Sequence, residues 1–101
     1  MTEGLNIKSP WPSYQWPAGK QSATLLSVDV DAQVPFMWAH RDGLPDRLAT
    51  LEIRNFGPRT GLNRLIDLFA RYNVKASFYV PGLPAETNPD TLPGLVEAGH
   101  E

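Results

Sequence analysis

The chain has 101 residues, of which 42% are hydrophobic and 20% charged, a composition that fits one small folded domain and excludes a disordered chain. A formal net charge of -2 excludes the strongly basic surface with which proteins bind nucleic acid or anionic membranes, so we expect no such partner. The sequence contains no cysteine, no signal-peptide pattern and no apolar run long enough to span a membrane, and we therefore expect a cytoplasmic protein without disulfides.

Residues 1–22 form an arm rich in proline and aromatic residues, and residues 23–101 are expected to form the domain proper. The arm alternates the two residue types: Pro10, Trp11, Pro12, Tyr14, Trp16 and Pro17. This pattern excludes a helix or a central strand. Such a segment suits the aromatic groove of a binding partner. We favour burial of the tryptophans against the domain or a neighbouring subunit of a homo-oligomer, since solvated tryptophans leave large apolar surfaces in water.

Residues 23–30, ATLLSVDV, predict a nearly continuous apolar strand, which is typical of a parallel strand covered on both faces. Because side chains alternate along a strand, Asp29 and Asp31 share one face, and Val30 lies on the other. Two carboxylates so close together repel each other. The pair persists most easily where a cation lies between them or where one carboxylate takes a proton. This strand end is therefore the leading candidate for a functional site.

Residues 32–60 show no clear periodicity and are predicted to be a long irregular segment, as active-site lids often are. The segment carries four arginines, Arg41, Arg47, Arg54 and Arg59. Because it begins directly after the aspartates, we expect it to pass over them, with Phe36 and Trp38 as an apolar wall. Arg59 would then pair with Asp29 and keep that carboxylate ionised as a catalytic base. The alternative is that Arg59 only donates hydrogen bonds to loop carbonyls.

The next predicted element is an amphipathic helix over residues 62–73. Its apolar residues have helical spacing: Leu62, Leu65, Ile66 and Phe69. Thr60 is the expected N-cap, and Asn73 is expected to end the helix.

Residues 74–80, VKASFYV, alternate in polarity and predict a second strand that ends at Pro81. A last helix is expected over about residues 91–98, with Thr91 as its cap and Gly99 after its end. The order of strand, helix, strand and helix predicts an α/β protein with a right-handed βαβ unit. In such folds the active site lies at the carboxyl ends of the parallel strands, where the aspartates stand.

Three chemistries use two aspartates at this spacing. One is a divalent metal site in which one carboxylate binds the ion and the other takes a proton from water. The second is phosphoryl transfer with an aspartate nucleophile, and the third is nucleotide-sugar transfer with a metal bound to diphosphate. The spacing alone does not choose among them. Neither His40 nor His100 has a second histidine at i+4, and we expect both to be structural, with His100 as a cation at a helix end.

Several stretches, taken in order, resemble the polysaccharide deacetylase family, the NodB-like metal-dependent amide hydrolases. They are SVDVDAQ, FGPRTGLNRLIDLFARYNVKASFYVPG, PAETNPDTL and EAGHE, within about Trp16 to Glu101. Most family members carry adjacent aspartates, whereas Val30 separates them here. This resembles the branch of peptidoglycan deacetylase-like proteins and allantoin or cyclic-imide hydrolases. The resemblance implies a distorted (β/α) barrel that hydrolyses non-peptide carbon–nitrogen bonds in an N-acetyl sugar, peptidoglycan or cyclic amide.

By this resemblance Asp29 corresponds to the catalytic base and Asp31 to a metal ligand, with Zn²⁺ as the expected ion. The family's two histidine ligands follow the Gly-His-Glu stretch and are expected beyond Glu101. We therefore expect this chain to be the first βαβ(α) portion of the barrel, marginally stable and without activity of its own.

Two other functions are kept in view. The first is a haloacid-dehalogenase-like phosphatase, whose first motif is D-x-D-x-[TV]; Gln33 occupies the fifth position here. The second is a non-catalytic oligomerisation module.

Overall fold

The structure is a computed structural model that describes Gly4, Lys8 and the ranges 10–43 and 48–101. In chain order, its elements are a 3₁₀ turn at Pro17–Gly19, β1 at Ser27–Asp29, α1 at Val34–Ala39, α2 at Leu48–Phe56, a π-helical turn at Gly57–Gly61, α3 at Leu62–Arg71, β2 at Ser77–Tyr79, α4 at Gly82–Thr87 and α5 at Thr91–Glu97. Parts of the predicted arm and of the segment over 32–60, including Arg47, lie outside the described residues.

The two strands form a parallel pair, as the βαβ prediction required. Ser27 is paired with Ser77, Val28 with Phe78 and Asp29 with Tyr79. Backbone hydrogen bonds continue the ladder at both ends: Ser77 N–H donates to the Leu26 carbonyl at 3.0 Å, and Val30 N–H donates to the Tyr79 carbonyl at 2.9 Å. Both strands are shorter than predicted, because regular pairing is confined to the three residues that face each other.

The sheet is covered on one face only. Its core consists of Val30, Leu62 and Leu95, with Val28, Ile66, Phe78 and Val80 packed against it. On the other face, Leu25 is 90% exposed and Tyr79 is 61% exposed. The prediction of a strand covered on both faces is therefore wrong for the described structure, because α3 and α5 supply their apolar side chains to the same side of the pair.

The described residues of the segment 32–60, which are 32–43 and 48–60, are largely helical rather than irregular. Helix α2 runs through the π-helical turn directly into α3, and Gly61 before α3 has helical φ and ψ angles of -63° and -41°. Thr60 is consequently inside a helical segment and is not an N-cap. Glycine and proline usually interrupt helices, so Gly57 and Pro58 favour an irregular segment at this point. In the structure Pro58 lies in the π-helical turn, where the regular helical hydrogen bonds are already interrupted and the N–H that proline lacks is not needed.

The ends of the later helices agree better with the sequence. Asn73 has a φ of 52° and Gly99 a φ of 82°, and these left-handed conformations end the helical runs as predicted. Helix α5 begins at Thr91, but its N-cap is Asp90. Helix α4 was not predicted, because the Pro81–Gly82 pair indicated a turn; Pro81 is in fact the extended N-cap of that helix.

His100 is part of the core, which confirms its structural role. The N–H of Ala76 donates to Nδ1 of His100 at 3.2 Å, and the ring contacts Phe78 with centroids 5.0 Å apart. Nδ1 of His100 is the acceptor of this bond. The expected interaction of His100 with the helix dipole stays a prediction.

The last residue of the chain extends the sheet. Glu101 N–H donates to the Ala76 carbonyl at 3.1 Å, and Phe78 N–H donates to the Glu101 carbonyl at 2.7 Å. These two bonds flank Ser77, which is the parallel pattern, and they lie on the edge of β2 away from β1.

The described part of the arm does not bury its aromatic residues in the domain. Trp11 is 78% exposed and Trp16 is 40% exposed. Tyr14 and Trp16 contact each other edge to face, with ring centroids 4.9 Å apart. Burial against the domain is thus not observed, and burial against another subunit stays a prediction. Within the described ranges, every helix is too short or too polar to cross a bilayer.

The left-handed conformation of Asn73 predicts opposite effects for two substitutions. Asn73→Ala should lower the free energy of unfolding by about 1 kcal/mol, because a β-carbon is disfavoured in this region. Asn73→Gly should leave it unchanged or raise it. Urea unfolding measures both, and Asn63→Ala at an ordinary helical position serves as the matched control. Equal destabilisation by alanine and glycine would contradict the assigned role of the backbone angle.

Candidate functional site

The two aspartates lie where β1 ends. Asp29 is the last residue of the strand, and Val30 continues its extended course with only 6% of its surface exposed. Asp29 and Asp31 are both exposed. The buried valine between two exposed carboxylates confirms that the pair shares a face opposite the core.

A sharp turn directly follows the second aspartate. The carbonyl of Asp31 accepts a hydrogen bond from Val34 N–H at 3.0 Å, and Ala32 adopts a left-handed φ of 50°. A non-glycine residue rarely adopts this conformation, so the turn holds local strain beside the aspartates. The turn directs the chain into α1 instead of continuing the strand.

The aspartates open into a cavity of about 240 Å³, here called the aspartate cavity. It is lined by Val28, Asp29, Val30, Asp31, Ala32, Gly57, Pro58, Gly61, Leu62 and Leu65. Asp29 and Asp31 are the charged residues of this lining, and the other residues are apolar or glycine. The cavity therefore lies at the carboxyl end of a parallel strand, which is where ligands bind in such folds.

Arg59 does not pair with Asp29 as expected. Its Nη1 donates to Oε2 of Glu52 at 2.8 Å, and this is the one ion pair among the described residues. Glu52 and Arg59 are seven residues apart, so the continuous helix through the π-helical turn brings them to one side two turns apart. The predicted Arg59–Asp29 pair is thus wrong for this structure, whereas a catalytic role for Arg59 stays a prediction.

The Arg59–Glu52 pair shifts both titrations. Hydrogen bonding and the positive charge of Arg59 lower the pKa of Glu52 below its usual value, and Glu52 correspondingly raises the pKa of Arg59. Both side chains are exposed, so solvent screens the pair and it adds little to stability. Any contribution of the pair to the free energy of unfolding is fully present above the ordinary pKa of Glu52. It is lost as the pH falls through the lowered pKa that Glu52 has in the folded protein.

Phe36 and Trp38 do not form the predicted wall. Phe36 is buried against His40, with ring centroids 4.4 Å apart. Trp38 is 69% exposed, and the guanidinium of Arg41 lies 4.5 Å from its ring centroid. The apolar wall of the aspartate cavity comes instead from Leu62 and Leu65 of α3. The amphipathic pattern of α3 predicts these leucines as core residues. It does not predict that they also line the aspartate cavity.

The donor set fits part of a metal site. Carboxylate oxygens are suitable ligands for a divalent ion, and among the described residues neither aspartate has a cationic partner. No cluster of three or more histidine, cysteine, aspartate or glutamate residues occurs in the described ranges. His40 is hydrogen-bonded through Nδ1 to the Phe36 carbonyl at 2.9 Å, and His100 lies in the core. A catalytic zinc ion takes three protein ligands, so these residues supply an incomplete set.

Tyr79 is a candidate that the sequence reasoning did not assign to the site. It faces Asp29 across the parallel pair and is 61% exposed. Neighbouring strands lie about 4.8 Å apart, which places the two side chains next to each other on the open face. The alternating polarity of residues 74–80 places Tyr79 on the polar face of its strand. The sequence does not give the register between the strands, which is what pairs Tyr79 with Asp29.

Two known proteins are similar to the chain, although no family model matches it. A peptidoglycan deacetylase of Helicobacter pylori is 29% identical over 82 residues, which is 81% of this chain and 27% of that protein. A crystal structure from Mycobacterium smegmatis assigned as a polysaccharide deacetylase superposes with a TM-score of 0.81 at 33% identity, over 92% of this chain and 32% of the other. The chain thus spans about a third or less of the length of either protein.

The ion pair gives a prediction that nuclear magnetic resonance can check. Arg59→Met should raise the pKa of Glu52 back to its usual value, because it removes both the hydrogen bond and the positive charge. Titration of the Glu52 carboxyl carbon measures this change. Arg54→Met, which removes an arginine from the same helix but not from the pair, should leave the Glu52 pKa lowered. An unchanged Glu52 titration in Arg59→Met would contradict the pairing.

Proposed function

The chain belongs to the polysaccharide deacetylase family, and from this premise we propose that the protein containing it is a metal-dependent hydrolase that removes acetyl groups from N-acetylated sugars of a glycan. One observation of this chain carries the proposal. Asp29 and Asp31, separated in sequence by the buried Val30, are both exposed at the end of a parallel strand, without a cationic partner among the described residues. Such a pair is suited to binding a cation and moving a proton.

In the proposed mechanism the two carboxylates have different tasks. Asp31 would hold the ion, together with the two histidine ligands that the family resemblance implies. Asp29 removes a proton from the water whose oxygen attacks the acetamide carbonyl carbon. The carbon–nitrogen bond then breaks as this proton passes to the leaving nitrogen, and the products are acetate and the free amine. When bound, a divalent ion such as Zn²⁺ supplies the positive charge that polarises the carbonyl and acidifies the water.

The surroundings of the pair favour this division. Both carboxylates are exposed at the strand end, on the face opposite the apolar core, where a cation and water can reach them. Tyr79 lies beside Asp29 on the open face, where its hydroxyl is suited to donating to substrate oxygen.

We also propose that the parallel pair is the start of a distorted β/α barrel. The backbone bonds of Glu101 on the free edge of β2 support this, because they begin a second parallel pairing, as a third strand would. The open face with Asp29 and Tyr79 would then be the barrel interior, where polar residues at strand ends meet the substrate.

The alternatives lack comparable support. One relative is named a peptidoglycan deacetylase and the other is assigned as a polysaccharide deacetylase, and neither name favours a haloacid-dehalogenase-like phosphatase or a non-catalytic module. A small cyclic amide is a different substrate for the same chemistry.

Substitution of the two aspartates should separate metal binding from proton transfer. In the intact protein, Asp31→Asn should lose most of the bound metal and with it the activity. Asp29→Asn should keep its metal and lose about 10²- to 10⁴-fold in kcat, the usual contribution of a general base. Metal analysis and deacetylation of an N-acetylglucosamine oligomer measure these effects, and Asp67→Asn on the exposed side of α3 is the control. Full metal content and turnover in Asp31→Asn would refute the assignment.

The 101-residue chain alone should not hydrolyse N-acetylated sugars, even with added Zn²⁺, because its described residues supply an incomplete ligand set. An acetate-release assay tests this directly. Zinc-dependent release that survives Asp31→Ala would show that the catalytic site lies elsewhere.

A further inference from the structure

We propose that a polar groove beside the aspartate cavity binds a second sugar ring of an extended glycan, and that Asn88 is the residue that positions this ring. The polar groove is defined by Pro58, Arg59, Asn63, Asn88 and Asp90. The inference rests on the proposed deacetylase function, and it adds a specificity determinant to it.

The polar groove lies between the π-helical turn, α3 and the connection from α4 to α5. Its cavity of about 520 Å³ is lined by Pro58, Arg59, Leu62, Asn63, Ile66, Thr87, Asn88, Pro89, Asp90, Thr91 and Gly94. Pockets of about 300–1,000 Å³ hold small ligands, so one sugar ring fits this volume.

The groove is continuous with the catalytic region. Pro58 and Leu62 line both the polar groove and the aspartate cavity. A third cavity of about 290 Å³ also touches Pro58, Thr87 and Asn88. The polar groove and the aspartate cavity are therefore neighbours on either side of Pro58, and an extended ligand with its acetamide at the aspartates would reach the groove by crossing Pro58.

Asn88 presents a fixed hydrogen-bond acceptor. Its Nδ2 donates to the Pro84 carbonyl and to Oγ1 of Thr87, both at 3.1 Å. A carbonyl can only accept, so this contact determines which end of the amide is the nitrogen. Oδ1 of Asn88 is then left without a hydrogen bond among the described residues. Because the amide is held at its other end, this oxygen binds a hydroxyl donor with little loss of side-chain entropy.

The remaining polar groups of the groove complement a sugar. Arg59 and Asn63 offer N–H donors, while Asp90 and Oδ1 of Asn88 accept. Glu52 holds one nitrogen of Arg59 at 2.8 Å, which limits the motion of the guanidinium. Sugar hydroxyls both donate and accept, so a ring can use both sets of groups. A small cyclic amide at the aspartates would not reach them, and this favours an oligomeric glycan.

Asn88→Ala in the intact protein tests the proposal with β-1,4-linked N-acetylglucosamine tetramer and N-acetylglucosamine monomer as probes. For the tetramer, kcat/KM should fall about tenfold and Kd from calorimetry should rise by a similar factor, the effect of losing one good hydrogen bond. For the monomer, kcat/KM should stay within about twofold, since it does not reach the groove. A merely structural role would lower both equally.

A second variant and a control distinguish the loss of a sugar contact from a general loss of folding. Asn63→Ala replaces an exposed residue of α3 that makes no hydrogen bond with another described side chain, and it should also weaken tetramer binding while leaving the monomer unaffected. Gln21→Ala removes an exposed amide from the arm and should change neither probe.

The outcomes distinguish this inference from the proposed function. If the ratio of kcat/KM for the tetramer to kcat/KM for the monomer is the same in the wild type and in both variants, the groove does not bind a sugar ring, whereas the deacetylase proposal still holds. Tetramer binding that depends on Asn88 without any acetate release would support the groove and overturn the deacetylase. Neither binding nor turnover of the tetramer by the wild-type protein would overturn both.

Discussion

The parallel pairing of β1 with β2 is the constraint on which the rest of the structure depends. Val28 and Val30 bury their side chains against α3 and α5, and alternation then forces Asp29 and Asp31 to the opposite face. A shift of the register by one residue would put the carboxylates into the apolar core, at a large desolvation cost. The register of β1 against β2 thus has two results. It buries the valines that stabilise the domain, and it exposes the aspartates of the candidate site.

The π-helical turn links this core to the candidate site. Gly57 and Pro58 lie in the aspartate cavity wall, while Glu52 and Arg59 pair along the adjoining helical surface. Arg59 is engaged by Glu52, and the aspartates have no protein counter-ion among the described residues. The metal ion of the proposed function would supply that positive charge.

The sequence predicted the parts of the fold that depend on periodicity. The parallel strands, the apolar face of α3 and the helix end at Asn73 follow from alternation, helical spacing and a residue that tolerates a left-handed backbone. Residues 32–60 were predicted wrongly, since Gly57 and Pro58 act locally as helix breakers while the helix absorbs them in a π-helical turn. Arg59 was assigned to Asp29 for the same reason, because only the continuous helix brings it to Glu52. Tyr79 and Asn88 needed the strand register and the side-chain hydrogen bonds, which no one-dimensional pattern supplies.

The central claim is that the two aspartates have different tasks at one ion. Anomalous diffraction at the zinc edge from crystals of the intact protein grown with Zn²⁺ tests it most directly. We expect one strong peak about 2.0–2.2 Å from a carboxylate oxygen of Asp31. We also expect Asp29 to make no bond to the ion and to lie within hydrogen-bond distance of a water beside it. A peak bound to Asp29 alone, or one remote from both aspartates, would show that the two carboxylates do not divide the tasks in this way.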